Sequence, residues 1–222
     1  MKFGDYRSRA RLSEGRSGDA IHRMVARAIE DRNLSDLVLM DVGCGNGDLH
    51  SLVAPRCRRY VGIDAIRYDG LPAHAEFIAA DLNDCAALSV GDALADVVVS
   101  IETIEHLENP RAFMRLLGRL VRPGGWIIVT TPNQRSALSV ATLITRGQYS
   151  HFRDVHYPAH ITALLDADLR RMAAEIGLDQ VSIDFSRSGR IVFTPLHYPA
   201  VVSRLFPVAC SDNVMLAGRR PA

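Results

Sequence analysis

The sequence predicts an α/β fold built on a parallel, doubly wound sheet. Short apolar runs, each long enough for one strand, alternate with stretches of helical periodicity through most of the chain. Several of these runs end in glycine or aspartate, residues that are common in turns at strand ends. Strands that alternate with helices predict a parallel sheet with helices on both faces. A length of 222 residues suits one such domain with a complete core.

The elements of the first half follow from local sequence patterns. Apolar residues at helical spacing predict a helix over residues 17–31. Five apolar runs predict strands at 37–42, 60–64, 77–81, 96–101 and 126–132. A short helix is expected over 48–54, and an amphipathic helix over 110–121, where Pro110 occupies the first turn.

The second half departs from this alternation. Residues 134–160 contain no strand pattern, although residues 136–144 are expected to form a small amphipathic helix. One helix and two strands complete the fold, at 164–177, 178–185 and 213–219. Long inserts in a compact α/β domain usually form a lid or a substrate pocket. We therefore expect residues 134–160 and 190–211 to cover the substrate.

Composition and charge argue against several classes of function. The formal net charge is +1, so no strong field favours nucleic acid or an acidic membrane surface. The four cysteines lack paired metal-binding spacing, which fits a reduced compartment. The N-terminal residues are too polar for a signal peptide, and no apolar run is long enough to span a bilayer. We expect one cytoplasmic domain over residues 1–222, with residues 1–16 as an N-terminal arm.

A glycine loop follows the first predicted strand. The segment DVGCGNGDL places Gly43, Gly45 and Gly47 between strand and helix, where the backbone can turn sharply and approach a ligand without an intervening Cβ. Asp64 ends the second strand, where a carboxylate can hold ribose hydroxyls. Asp81 ends the third strand, where a carboxylate can accept a hydrogen bond from an adenine amino group. Together these positions predict a nucleoside-containing cofactor.

Two carboxylates and an imidazole follow the fourth predicted strand, in the segment SIETIEHLENP. In a helical turn, Glu102, Glu105 and His106 would be i, i+3 and i+4 and would share one face. Such a cluster suits a metal ion. The alternative is that the glutamates only favour a helix N-terminus through its dipole. The first insert supplies three further imidazoles, those of His151, His156 and His160.

On these residues the sequence resembles class I S-adenosylmethionine-dependent methyltransferases. The resemblance runs from about residue 17 to the end and includes Gly62-Ile63-Asp64 and the Arg122-Pro-Gly-Gly turn. It implies a Rossmann-like sheet of seven strands with an antiparallel last strand, and S-adenosylmethionine as cofactor. The implied cofactor contacts are Asp41, Gly43, Cys44, Gly45, Gly47, Asp64, Ala65, Asp81, Leu82 and Ser100. A nicotinamide dehydrogenase is the rival interpretation, but its G-x-G-x-x-G spacing differs from the G-x-G-x-G found here.

Two subgroups of that family combine E-x-x-E-H after the fourth strand with a later histidine. They are the ubiquinone-biosynthesis O-methyltransferases and the small-RNA 3′-terminal 2′-O-methyltransferases. The resemblance implies a divalent metal such as magnesium, manganese or zinc, bound by Glu102, Glu105, His106 and His160, with His156 as the alternative fourth ligand. The aromatic residue that often follows the later histidine is absent here, and Thr162 and Leu164 occupy its region.

The sequence thus predicts an O-methyltransferase that acts on a small molecule or a saccharide-like group. A bound divalent ion lowers the pKa of a hydroxyl and orients its oxygen, and two adjacent open positions would suit a vicinal diol or a catechol. The predicted apolar contacts to the acceptor are Tyr149, Phe152, Tyr157 and Phe206. Two alternatives remain: metal-independent transfer with His106 or His160 as the catalytic general base, and a non-catalytic scaffold with the methyltransferase fold.

Overall fold

The computed structural model describes residue 15 and residues 17–88, 90–92 and 94–222, so most of the predicted N-terminal arm lies outside the described residues. Its seven strands are β1 (Leu37–Val42), β2 (Cys57–Asp64), β3 (Glu76–Ala79), β4 (Ala95–Ser100), β5 (Val121–Pro132), β6 (Asp179–Phe185) and β7 (Asn213–Arg219). They form one sheet in the order β3-β2-β1-β4-β5-β7-β6. Strands β1 to β5 pair in parallel, whereas β7 is antiparallel to both β5 and β6. The predicted seven-stranded α/β fold with an antiparallel last strand is confirmed.

Helices accompany the strands in the predicted order. They are α1 (Asp19–Glu30), α2 (Asp48–Val53), α3 (Pro110–Leu120), α4 (Ala137–Arg146), α5 (Asp166–Glu175) and α6 (Ala200–Leu205). Five of them match predicted helices to within a few residues. The sequence did not predict α6, which lies in the second insert and begins after Pro199. In the described part of the chain, no helix combines the length and the apolar character needed to cross a membrane.

Strand β1 and its neighbours are buried on both faces because an apolar layer covers each side of the sheet. Alternate residues of a strand point to opposite faces, so Met40 and Val42 pack on one side and Leu37 and Leu39 on the other. The first layer includes Phe113 of α3 and Leu169 of α5, and the second includes Val25 and Ile29 of α1. Burying one such large side chain contributes about 2 kcal/mol. This packing fixes the sheet on which the site is built.

The strand order reverses between β1 and β4, which pair in parallel with Asp41 opposite Val99. Ligands of open α/β sheets bind beyond the carboxyl ends of the strands at such a reversal. The glycine loop leaves β1 at this point, and the glutamate- and histidine-bearing segment leaves β4 beside it. The topology therefore brings the two segments that the sequence singled out to the same crevice.

Candidate active site

A cavity of about 750 Å³ opens at the carboxyl ends of β1, β2 and β4. It is lined by eight of the ten predicted cofactor residues: Asp41, Gly43, Cys44, Gly45, Asp64, Ala65, Asp81 and Leu82. All four predicted metal ligands line it as well: Glu102, Glu105, His106 and His160. The two predicted cofactor residues that do not line it are Gly47, which caps the start of α2, and Ser100, which is completely buried in β4.

The glycine loop is shaped by contacts within the protein. Gly43 and Gly45 have φ angles of +83° and +50°, a region that residues with a Cβ rarely adopt. A Cβ added at Gly43 would overlap the side chain of Thr103, and one added at Gly45 would overlap the backbone of Gly15. Glycine is needed here because two other segments approach the loop closely.

Two buried aspartates lie beside this loop. The Asp64 carboxylate accepts the backbone N–H groups of Gly45 (2.9 Å) and Ala65 (2.6 Å), and burial raises its pKa despite these donors. Asp41 accepts a hydrogen bond from the Tyr60 hydroxyl at 2.5 Å, and burial raises its pKa to about 7. Its Oδ1 is buried and has no partner among the described residues. An unpartnered buried oxygen facing a cavity is suited to a ligand's donor group.

The third aspartate borders a separate part of the cavity. Strand β3 ends at Ala79, so Asp81 lies in the following turn, where it accepts the backbone N–H of Asn83 at 2.9 Å. Leu82 is buried beside it. One acceptor and one apolar side chain therefore lie together on the cavity wall. Such a pair suits a bound ring, since the apolar side chain can pack on its face and the acceptor can bind its amino group.

The structure brings Glu105, His106 and His160 together: one potential ligand atom from each lies within 4.8 Å of the other two. The prediction that Glu102, Glu105 and His106 share one face of a helical turn is wrong. Between β4 and α3 the chain forms a single 3-10 turn, Ile104–His106. Glu102 precedes that turn with a φ of +49°. Glu102 is outside the group of three, and its role as a metal ligand stays a prediction.

The ring of His106 is held in one orientation. Its Nδ1 lies 2.8 Å from the carbonyl oxygen of Ala159, which can only accept, so Nδ1 carries the hydrogen. Burial lowers the pKa of His106 and favours the neutral ring, in which Nε2 keeps its lone pair. The ring of His160 is 4.7 Å away, at an interplanar angle of 87°. A second hydrogen bond that fixes the tautomer of a histidine is typical of metal-binding imidazoles.

Backbone hydrogen bonds attach the two residues that follow the first insert to this turn. The N–H groups of Ile161 and Thr162 both donate to the carbonyl of Glu105, at 3.0 Å each. The Thr162 hydroxyl donates to the Leu107 carbonyl at 2.7 Å. Thr162, which stands where an aromatic residue is common in the two subgroups, thus helps to place His160 beside Glu105.

Glu105 is buried and Glu102 is partly buried, and the carboxylate of each accepts hydrogen bonds from neighbouring strands. Glu102 accepts hydrogen bonds from the Thr130 hydroxyl (3.0 Å) and the Asn213 amide (2.7 Å). Glu105 accepts one from Thr131 through Oε2, while its Oε1 is buried without a described partner. Burial raises the pKa of Glu105 to about 8 and that of Glu102 well above its usual value, where the charge of Glu105 adds to the effect. No arginine or lysine in the described part of the chain forms an ion pair with either carboxylate.

The histidines of the first insert form a row of rings. Ring centroids are 5.7 Å apart for His156 and His160 and 6.4 Å apart for His151 and His156. Burial, reinforced by the neighbouring His106, lowers the pKa of His160 to about 3, and burial lowers that of His151 to about 4. Both rings are therefore neutral at pH 7, which suits a metal ligand better than a general base.

The predicted apolar contacts differ in their relation to the cavity. Tyr157 lines it, whereas Phe152, Tyr149 and Phe206 do not, although the Phe152 ring lies 5.4 Å from that of His160. Phe206 is also largely exposed. Of the four, Tyr157 is therefore the residue placed to contact a ligand in this cavity.

Sequence reasoning missed the residues that β5 and β7 contribute. Thr130, Thr131 and Asn213 hold the glutamates, and Asn213 lies opposite Pro132 because β7 is antiparallel to β5. The first residue of an antiparallel last strand must lie at the edge where the parallel strands end. That consequence of the predicted topology was the available signal for Asn213.

Comparisons with known proteins agree with this geometry. Residues 7–183 match the family described as "Methyltransferase domain". A Mycolicibacterium smegmatis protein named "Probable S-adenosylmethionine-dependent methyltransferase" is 35% identical over 43% of the chain. A ubiquinone biosynthesis O-methyltransferase of Xanthomonas oryzae is 29% identical over 68% of the chain. The chain spans 38% and 66% of the lengths of these two relatives.

A solved structure shows the same fold. The crystal structure of an S-adenosylmethionine-dependent methyltransferase from Archaeoglobus fulgidus superposes with a TM-score of 0.63, covering 90% of this chain and 94% of that one. Sequence identity is 15%, so this similarity concerns the fold alone.

Proposed function

The chain belongs to the methyltransferase-domain family, and on that premise we propose that it is an S-adenosylmethionine-dependent O-methyltransferase assisted by a divalent metal. The acceptor is a vicinal-diol or catechol-like hydroxyl of a small molecule or a saccharide. The proposed ligands are Glu102, Glu105, His106 and His160, and His106 and His160 are the residues nearest the reacting hydroxyl.

One observation carries this proposal. Ligand atoms of Glu105, His106 and His160 gather within 4.8 Å of one another on the wall of the cavity that the glycine loop also lines. A methyl donor on the loop and a hydroxyl at the cluster would therefore share one compartment. Methyl transfer is an in-line displacement, so it requires donor and acceptor to be held together in one such compartment.

The donor set fits a divalent ion. It contains carboxylate oxygens and neutral imidazole nitrogens, a mixture that magnesium, manganese and zinc each accept in part. Two of its atoms, Glu105 Oε1 and His160 Nδ1, are buried without partners among the described residues. Buried polar atoms without partners are rare and suggest a missing ligand. The raised pKa values of Glu102 and Glu105 have the same origin: both carboxylates are desolvated, and neither forms an ion pair with an arginine of the described residues.

When bound, a divalent ion lowers the pKa of a coordinated hydroxyl and neutralises buried carboxylates. The residues of this chain have positioning roles. Ala159 orients the His106 ring through its carbonyl, and Thr130 and Thr131 orient the two glutamates. Asp64 accepts from the loop at Gly45 and keeps acceptor capacity toward ribose hydroxyls.

The general-base alternative is less well supported. Base catalysis works best when the pKa of the base lies near the working pH. The pKa of His160 is lowered to about 3, and that of His106 is also lowered by burial. Neither imidazole is tuned for this role. The scaffold alternative lacks a specific observation in its favour, since the cavity contains both the loop and the cluster.

The test is transfer of labelled methyl groups from S-adenosylmethionine to a catechol, with purified protein before and after chelator treatment and dialysis. We expect the chelator to abolish transfer and added magnesium, manganese or zinc to restore it. A monophenol of the same size serves as the matched acceptor, and we expect it to react much more slowly. Undiminished transfer after chelation would contradict metal assistance while leaving methyl transfer established.

A further inference from the structure

A second polar group lies at the other end of the histidine row. It consists of His151 from the first insert, Arg190 from the second insert and Asp212, which immediately precedes β7. All three line the same cavity as the glycine loop and the metal-ligand candidates. The reaction proposed above uses none of them.

Arg190 provides a fixed positive charge there. It is the only arginine or lysine among the described residues that line the cavity. Its Nε donates to Asp212 Oδ2 at 3.4 Å, and its backbone N–H donates to the same oxygen at 3.2 Å. The two Nη atoms donate to none of the described residues, and 43% of the side chain is exposed. The guanidinium is thus bound to Asp212 through Nε, and its two Nη atoms are available to a ligand.

His151 is held in place by a chain of buried hydrogen bonds. Its Nδ1 lies 3.1 Å from the hydroxyl of Ser150, whose backbone N–H donates to Ser139 Oγ at 3.3 Å. Ser139 in turn donates to the side-chain oxygen of Gln134 at 3.2 Å. Ser139, Ser150 and Gln134 are all buried. These hydrogen bonds lead from Gln134, just after β5, to one ring on the cavity wall and fix the position of that ring.

The charges of this group act on one another. Burial lowers the pKa of His151, the Asp212 carboxylate opposes that shift, and the Arg190 charge adds to it. The Arg190 charge also contributes to the lowered pKa of His156. Arg190 therefore lies close enough to influence two rings of the row that leads to His160. The other charged or titratable groups that act on His151 are His156 and Arg153.

We propose that Arg190, with His151 beside it and Asp212 behind it, binds an anionic group of the methyl acceptor away from the reacting hydroxyl. This inference rests on the proposed function, since it places the anion in the same cavity. A guanidinium with two available nitrogens matches the two oxygens of a carboxylate. A carboxylate fits better than a phosphate dianion, because one guanidinium beside one aspartate offers little excess positive charge. The neutral His151 ring can add one hydrogen bond.

The experiment measures binding calorimetrically, with S-adenosylhomocysteine present, for 3,4-dihydroxybenzoate and 3,4-dihydroxybenzamide. These two compounds share the catechol and differ in the charge of one group. We expect the benzoate to bind at least about 10-fold more tightly to the wild type. Arg190→Gln should remove this preference, and Arg190→Lys should keep only part of it, because lysine retains the charge without the fork. Arg171→Gln, which changes an exposed arginine on α5, should leave the preference intact.

Equal affinity of the wild type for the two compounds would overturn the proposal, as would a preference that persists in Arg190→Gln. Failure of both compounds to bind would overturn it as well. Thermal unfolding and S-adenosylhomocysteine binding show whether each variant is folded. Methyl transfer to both compounds is measured separately. If the benzoate preference depends on Arg190 but no methyl is transferred, the proposed function fails and the anion site stands. If both compounds bind and react equally well, the anion site fails and the proposed function stands.

Discussion

Carboxylates have opposite hydrogen-bonding environments at the amino edge of the central sheet, where β1 and β4 begin, and at its carboxyl edge, where these strands end. At the amino edge, Asp96 of β4 accepts the backbone N–H of Val38 at 2.7 Å and the Arg122 Nε at 2.6 Å. At the carboxyl edge, buried oxygens of Asp41 and Glu105 have no partner among the described residues. Both edges belong to the same pair of strands, β1 and β4.

The pKa values follow the same division. Burial alone would raise the pKa of Asp96, but the Val38 N–H and Arg122 together bring it below the ordinary value. Burial raises the pKa of Glu105 to about 8, because its own backbone N–H and the Thr131 hydroxyl offset the effect of burial only in part. At the amino edge the polar groups pair with one another and stabilise the fold. At the carboxyl edge, buried acceptors stay unpaired and can accept hydrogen bonds from a ligand. Unpaired buried acceptors reduce stability, so their presence at one edge marks that edge as functional.

Replacement of Glu105 should have the largest effect, a loss of activity without a comparable loss of stability. Glu105→Gln keeps the shape of the side chain and an acceptor for Thr131 but removes the charge of a proposed metal ligand. We expect kcat/KM for methyl transfer to fall by about 100-fold or more, with the free energy of unfolding changed by less than about 1 kcal/mol. Glu175→Gln, at an exposed ion pair with Arg111, is the control and should retain full activity. Full activity of Glu105→Gln would mean that the cluster is not catalytic.

Substitution of Gly43 tests how closely the carboxyl edge is packed. Gly43→Ala adds a Cβ that overlaps Thr103 at a residue with φ of +83°. We expect a loss of about 2–4 kcal/mol in the free energy of unfolding, from backbone strain and overpacking together. Gly147→Ala is the matched control, because its φ is +72° but nothing lies within 4 Å of an added Cβ. It should cost only about 1 kcal/mol, and similar losses in urea unfolding for both variants would contradict the role of Thr103.

Thr130 tests whether β5 positions the first glutamate. Its hydroxyl accepts the backbone N–H of Glu102 at 3.1 Å and donates to Glu102 Oε1 at 3.0 Å. Thr130→Val should raise the metal concentration needed for half-maximal activity by about 10-fold. Thr145→Val, which removes only an exposed bond to Ala141, should not change it. An unchanged metal requirement in Thr130→Val would argue that Glu102 is not a ligand.

Asp96 should show the smallest effect, confined to stability and dependent on pH. Asp96→Asn should lower the free energy of unfolding by about 1 kcal/mol at pH 7, because it weakens the bond to Arg122. The pKa of Asp96 is lowered in the folded state. Its contribution is therefore complete above the unfolded pKa of about 3.9 and is lost as pH falls through the folded value. Urea titrations between pH 7 and pH 3 should show wild type and variant converging, with equal activity at pH 7.

Periodicity and apolar runs were enough to predict the sheet. A short run such as LVLMDV, bounded by turn residues, is typical of a strand that is covered on both faces, and β1 and β7 have the predicted bounds of 37–42 and 213–219. Helix α6 was missed because its six residues lie between prolines and aromatic residues, where local pattern gives little information. Single short helices depend on tertiary packing more than on propensity.

The sequence by itself determined the glycine loop, the aspartates after the strands and the concentration of glutamate and histidine after β4, because these are local patterns tied to strand ends. Only the tertiary structure decided which of them meet. Backbone hydrogen bonds from Ile161 and Thr162 to Glu105 bring His160 to the cluster, and an antiparallel β7 brings Asn213 to Glu102. Contacts of this kind join segments far apart in the chain, and no local periodicity records them.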